Sequence, residues 1–220
     1  MKRFFLSLVP LLSLACSADP SSPSYGDGVL QNGSFTYLCV TPSDAYCAGT
    51  ENVTTLPGIA LGTTFRIAFM QAPGAQPATL DLGTNDFLDL APDGTMHAKR
   101  TGYASVFARS PSGDVEDYIN LHVHEVGSLA VRGVDPGTTL KASETRSVRA
   151  EPHDQAGAVL AGSGAYDWET SDANVLVVDV TNEDRARGGA TLRAVGPGTA
   201  RLRVVFGSAT GTIDVLVGGA

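Results

Sequence analysis

Short runs in which apolar and polar residues alternate fill most of the chain. Phe65, Ile67 and Phe69 fall on one side of such a run, with Arg66, Ala68 and Met70 on the other. Leu202, Val204 and Phe206 alternate with Arg201, Arg203 and Val205, and Ile213, Val215 and Val217 with Thr212, Asp214 and Leu216. Successive side chains of a strand point to opposite faces, so a period of two predicts strands with one buried face. Gly and Pro punctuate these runs at short intervals, and no amphipathic helical stretch of useful length comes between them. The pattern predicts an all-β chain of antiparallel strands joined by turns.

The pattern also repeats. Thr95, Ala98, Gly102 and Ala104 recur 96 positions later as Thr191, Ala194, Gly198 and Ala200. Each copy continues through a strand, a Gly-bearing turn (Ser110 to Gly113; Gly207 to Gly211) and a final strand. The final strands carry Ile119, Leu121 and Val123 in one copy and Ile213, Val215 and Val217 in the other. Before the shared pattern stand two further apolar strands, 87–90 and 175–180. Two copies with about seven strands each fit two tandem Ig-like β-sandwiches. The division falls near Val126, where Gly127-Ser128 marks a short joint, and gives units 28–125 and 126–220. On this reading a cut at the joint severs few contacts, and 126–220 folds alone.

Ser128 to Val131, Val148 to Ala150, Asp154 to Gly157, Tyr166 to Asp172 and Ala194 to Ala200 follow one another at distances that resemble the group 2 bacterial Ig-like domain (BIG2, invasin/intimin-related). Asp86 to Val123 resembles the second half of the same domain. The front of the first copy departs from it, with no Trp before Asp86 and an added pair of cysteines at Cys39 and Cys47. The resemblance implies adhesion or cell-surface scaffolding.

At the N-terminus, Lys2 and Arg3 precede the apolar run Phe4 to Leu14, the pattern of a secretory signal over residues 1–15. Leu12-Ser13-Leu14-Ala15-Cys16 resembles the lipobox of bacterial lipoproteins, with Ser13 in place of the more usual aliphatic residue. That resemblance implies cleavage before Cys16 and lipid on its sulfur. Residues 16–27, rich in Ser and Pro, read as a flexible tether. No later apolar run reaches the roughly 18 residues of a membrane helix, so the membrane is a partner through Cys16 alone. Ser17, where an inner-membrane retention Asp would stand, points to the outer membrane.

Charge narrows the partners. The net charge of −8 becomes −10 once Lys2 and Arg3 are removed, which argues against nucleic acid, whose phosphates require cations. With Cys16 assigned to lipid, Cys39 and Cys47 remain for a disulfide in an oxidising compartment. A hairpin folded about Ser43 in Pro42-Ser43-Asp44 would set them opposite each other, within bonding reach. A redox-active pair is the alternative, without the C-x-x-C spacing that lowers a thiol pKa.

Candidate chemistry is sparse. Tyr166, Trp168 and Thr170 share one face of a strand, and Trp168 fits a core position better than a sugar platform. His122 and His124 share the outward face opposite Leu121 and Val123, where two imidazoles are potential metal ligands with no third nominated. His97 and His153 are isolated. Asp114, Glu116, Asp117 and the run Asn182-Glu183-Asp184 read as solvated loop charge, without the spacing of a calcium loop. Glu169 lies outward beside Trp168, and no spacing implies the paired carboxylates of a glycosidase. There is no G-x-S-x-G, H-E-x-x-H, P-loop or dinucleotide motif, and no cofactor is implied. The reading is a non-enzymatic, lipid-anchored envelope protein whose domains space or bind, with a protein or polysaccharide ligand. The alternative is a metal- or polysaccharide-handling protein built on the loop acids and His122/His124.

Overall fold

The computed structural model describes residues 28–39, 44–47, 52–53, 56–71, 77–181, 184 and 188–219. The signal segment, Cys16, the tether, Ser43 and the Asn182-Glu183 pair lie outside them. The first half contains β1 (Gly33–Leu38), β2 (Asn52–Val53), β3 (Ile59–Ala60), β4 (Thr64–Gln71), β5 (Thr79–Leu82), β6 (Leu88–Leu90), β7 (Met96–Ala98), β8 (Gly102–Arg109) and β9 (Val115–His124). The second contains β10 (Ser128–Arg132), β11 (Thr139–Leu140), β12 (Thr145–His153), β13 (Asp167–Thr170), β14 (Leu176–Asp179), β15 (Gly189–Ala194), β16 (Gly198–Phe206) and β17 (Ala209–Val217).

These strands form two sandwiches. In the first, the sheet β2-β1-β4-β7-β6 faces β3-β9-β8-β5; in the second, β10-β12-β15-β14 faces β11-β17-β16-β13. Inward alternation builds both cores. Phe35, Phe65, Ile67 and Met96 meet Val106, Ile119, Leu121 and Val123 in the first, and Val148, Leu176 and Leu192 meet Leu202, Val215 and Val217 in the second. The architecture is all-β and Ig-like, with two sandwiches in tandem.

The internal repeat has a backbone cause. Gly102 and Gly198 both take positive φ, 132° and 147°, at the turn into β8 and β16. A β-carbon there would lie 2.5 Å from the Phe87 ring and 2.9 Å from Val175. Glycine is thus required twice over, by the dihedral and by the close approach of an apolar neighbour. Ala98 and Ala104 are buried in the first copy, as are Ala194 and Ala200 in the second. The second Gly-bearing turn is tighter than the span 207–211: Phe206 pairs directly with Ala209, and Gly211 is already inside β17.

Cys39 and Cys47 form a disulfide, with α-carbons 5.6 Å apart. The hairpin expected to align them is not how they meet. Leu38 pairs with Asn52 of β2, and Cys47 ends a 3₁₀ turn, Ala45–Cys47, that belongs to no strand and packs Cys47 into the first core. The bridge therefore ties a turn to the end of β1 and does not link facing strands.

Candidate functional site: the inter-sandwich joint and the tether pole

The joint is made of backbone. After β3, the chain of the first sandwich runs beside residues 158–163 of the second, which lack regular strand structure of their own. Ala60 N–H donates to the Ala161 carbonyl at 2.9 Å and Ala161 N–H to that of Gly58 at 2.8 Å. Thr64 and Ser163 exchange both bonds, at 2.9 and 2.8 Å. These pairings extend a sheet edge of one sandwich with the other's chain, satisfying groups that burial would otherwise leave unpaired. Around them Ala60, Val126, Leu129, Leu160, Tyr166 and Val204 form a third apolar cluster that draws on both halves.

The disulfide-held turn adds a strut. Asp44, only 5% exposed, accepts from the Tyr37 hydroxyl at 2.6 Å, from Tyr46 N–H at 3.1 Å and from Gly162 N–H at 3.2 Å across the joint. Burial pushes the Asp44 carboxyl above its ordinary range, with the three hydrogen bonds opposing it. Burial also raises the Tyr37 and Tyr166 phenols, and the Asp44 charge adds to both shifts. Gly162 has φ +120°, and a β-carbon on it would sit 2.0 Å from Thr63 Oγ1. The expectation of few contacts across Val126 to Ser128 is thus overturned. Residues 126–220 alone would expose Leu160 and Tyr166 and strand the amides of Ala161 and Ser163. That fragment should unfold at a clearly lower denaturant midpoint than the same strands in the intact chain, with the red shift of Trp168 emission as the readout.

A row of rings ends at the same joint. Tyr103 stacks on His122 (centroids 4.1 Å), and His122 abuts His124 at 3.8 Å. His124 Nδ1 lies 3.8 Å from Asp154 Oδ2 of the second sandwich. Burial and the neighbouring His124 lower the His122 pKa, against the pull of Asp154. The outward placement of both histidines agrees with the sequence pattern. Asp114 sits apart from them in the turn 110–114 among Ser110 and Ser112, and Glu169 pairs with Arg203 at 2.9 Å on the second sandwich. Among the described residues no group of three or more His, Cys, Asp or Glu is placed to hold a metal ion. His153 bonds to Glu151 (2.9 Å), which also takes Arg132 Nε at 3.0 Å. Burial would raise Glu151, but the bonds and charges of Arg132 and His153 outweigh it and hold the carboxyl low.

Trp168 is half-buried on the edge strand β13, between the second core and the joint cluster. Its Nε1 is buried with no hydrogen-bond partner among the described residues, and Tyr166 is the more deeply buried ring.

Asp117 departs most from its sequence reading. It is fully buried and accepts from the amides of Leu30 at 2.8 Å, Asn32 at 2.8 Å and Gly33 at 3.2 Å, and from its neighbour Tyr118 at 2.8 Å. It is an anchor, and the loop it holds is the one by which the chain enters the first sandwich. A signal for this was present: Asp117 shares parity with Ile119, Leu121 and Val123 and so faces inward with them. A β-carbon on Gly28 would fall 2.0 Å from the Asp117 carboxyl, so only glycine lets the loop close over it.

Each end of the described chain lies at the end of its own sandwich that points away from the joint. Gly28 to Gly33 sits beside the start of β9 and the end of β4, while the joint is formed at the end of β9 and the start of β4. In the second sandwich the joint lies near Phe206 and Gly211, and Gly218 bonds to Leu140 at the far end. With strands of nine or ten residues, each sandwich contributes about 30 Å along this path.

No protein-family model matches the chain, and no curated protein matches it. Among solved structures it is similar to domains 4 and 5 of the S-layer protein SbsC, with 14% identity over 74% of this chain and 93% of that chain, at a TM-score of 0.36. It covers 23% of a longer SbsC structure. It is similar to the Escherichia coli adhesin FdeC, with 16% identity over 74% of this chain and 61% of that one, at a TM-score of 0.33. It is also similar to the endo-fucoidan hydrolase MfFcnA4, with 15% identity over 74% of this chain and 27% of that one, at a TM-score of 0.36. The Ig-like assignment rests on the sheets and their pairing.

Proposed function

We propose that the chain is a non-enzymatic, lipid-anchored protein of the cell envelope whose two sandwiches (28–125 and 126–220) serve as a stiff spacer or binding module. The carrying observation is the joint: residues 28–33 lie at the end of the first sandwich away from it, Gly218 at the end of the second away from it, and backbone hydrogen bonds close it between them. A hinge of free linker would let the far pole collapse towards the anchor. Backbone pairing across the joint opposes that, and this is what a spacer needs. Removal of residues 1–15 and lipidation of Cys16 place the entry pole near the outer membrane, and the far pole is where a protein or polysaccharide ligand would be met. Among the described residues no helix is long and apolar enough to cross a membrane. Cys16→Ala should move the protein from the membrane pellet to the soluble exported fraction or leave it as uncleaved precursor. Mature protein that still pellets with membranes would remove the anchor from this account.

A further inference from the structure

Exposed apolar side chains are gathered at the entry pole. Among the described residues, seven large hydrophobic side chains are exposed, and four of them belong here: Val29 (49%), Leu30 (49%), Met70 (59%) and Val115 (38%). Their backbone places them together. Val29 N–H donates to the Tyr118 carbonyl at 2.9 Å, and Leu30 is held by Asp117, two residues beyond Val115. Met70 pairs with Ser34, next to the Gly33 that closes the same loop. Val29 and Leu30 are not loosely placed. The fully buried side chain of Asp117 accepts from the amides of Leu30, Asn32 and Gly33 and so fixes the loop that presents the two side chains outward.

We infer that this pole rests on the surface of the bilayer that holds the lipid of Cys16, with Val29, Leu30, Met70 and Val115 at the headgroup boundary. The inference builds on the anchoring proposed above. Reach favours this occupant. Twelve residues, Cys16 to Asp27, separate the lipidated position from Gly28, and at no more than about 3.6 Å per residue they span at most about 43 Å. The pole is therefore the part of the described chain that the anchor keeps closest to lipid, and a membrane held at that distance is a standing partner at high local concentration. Apolar side chains contribute by leaving water for the interface. Charge sets the lipid class. Asp114 and Glu116 flank Val115, and the nearby Arg109 is paired with Asp81 at 2.8 Å, so the surface is acidic and fits zwitterionic lipid better than anionic lipid.

The test places tryptophan at the pole of the mature lipidated protein in phosphatidylcholine vesicles whose acyl chains are brominated near the headgroup. Trp168, in the second sandwich, is the internal reference. Leu30→Trp and, separately, Met70→Trp should each add emission that bromolipid quenches by at least half, while emission from the parent protein is unchanged. Thr199→Trp at the far pole should add emission that is not quenched. Replacing a third of the lipid with phosphatidylglycerol should reduce the quenching at Leu30→Trp. Protein that floats with the vesicles but shows no quenching at either pole position keeps the anchor and overturns the docking. Unquenched emission accompanied by dimers in sedimentation overturns it in favour of a second copy of the chain. Protein that fails to float at all overturns the anchor and the docking together.

Discussion

Asp117→Ala should destabilise the first sandwich by about 2–4 kcal/mol, the range expected when a buried carboxylate that accepts several backbone hydrogen bonds is lost. The amides of Leu30, Asn32 and Gly33 lose their acceptor together, and Gly28 loses the group it closes over. Asp117→Asn keeps one carbonyl oxygen and turns an N–H₂ towards amide donors, so it should recover only part of the loss. Urea unfolding of the soluble chain lacking residues 1–16 reads this directly. Hydrogen exchange at Leu30 and Asn32 should rise by orders of magnitude in Asp117→Ala, and by more than at amides of the second sandwich, because the loop they belong to also opens locally. A midpoint within error of the parent protein would mean that the carboxylate is not holding the loop.

Gly162→Leu is the second large effect, and it acts on the joint. The residue has φ +120°, where a β-carbon is strained, and that carbon would overlap Thr63, whose hydroxyl donates to the Ala60 carbonyl at 2.6 Å. Thr63 is fully buried and cannot swing into solvent. The substitution should cost at least about 3 kcal/mol through strain and overpacking, or force residues 160–163 away from the first sandwich. Either route breaks the bond from Gly162 N–H to Asp44 and uncouples the two halves. A single unfolding transition in the parent chain should split in two. An unchanged single transition would show that Gly162 has room the geometry denies it.

The sandwiches were legible in sequence because strand alternation and the repeat at 96 positions are local signals. The parity of Phe65, Ile67 and Phe69, or of Ile119, Leu121 and Val123, needs no knowledge of what lies opposite. The repeated Gly102 and Gly198 stand at matching places, and the structure gives both a positive φ at the first residue of a strand. The joint was illegible for the converse reason. Gly58 to Thr64 and Leu160 to Ser163 are about 100 positions apart, and Ala161-Gly162-Ser163-Gly164 has the composition of a solvent loop. Nothing within either segment says that its amides are satisfied by the other. Asp117 lay between these cases. Its place in Asp114-Val115-Glu116-Asp117 suggested solvated charge, although its parity with the core residues of β9 pointed inward. Composition suggested a loop, while periodicity gave the correct face. The cysteine pairing followed from counting, but its geometry did not, because the partner of β1 is β2 and the turn carrying Cys47 is pinned by Asp44 to both halves.

In a stiff spacer the two sandwiches move as one body. Pulsed electron resonance between spin labels at Asn120→Cys and Thr212→Cys, both exposed and one on each sandwich, tests it most directly in the soluble chain lacking residues 1–16. The native disulfide occupies Cys39 and Cys47, so the introduced thiols are the sites of labelling. A joint closed by the Ala60–Ala161 and Thr64–Ser163 backbone bonds predicts one narrow distance distribution that broadens in Gly162→Leu. A broad or multimodal distribution in the parent chain, unchanged by Gly162→Leu, would contradict the rigid spacer and return the two sandwiches to independent motion about Val126.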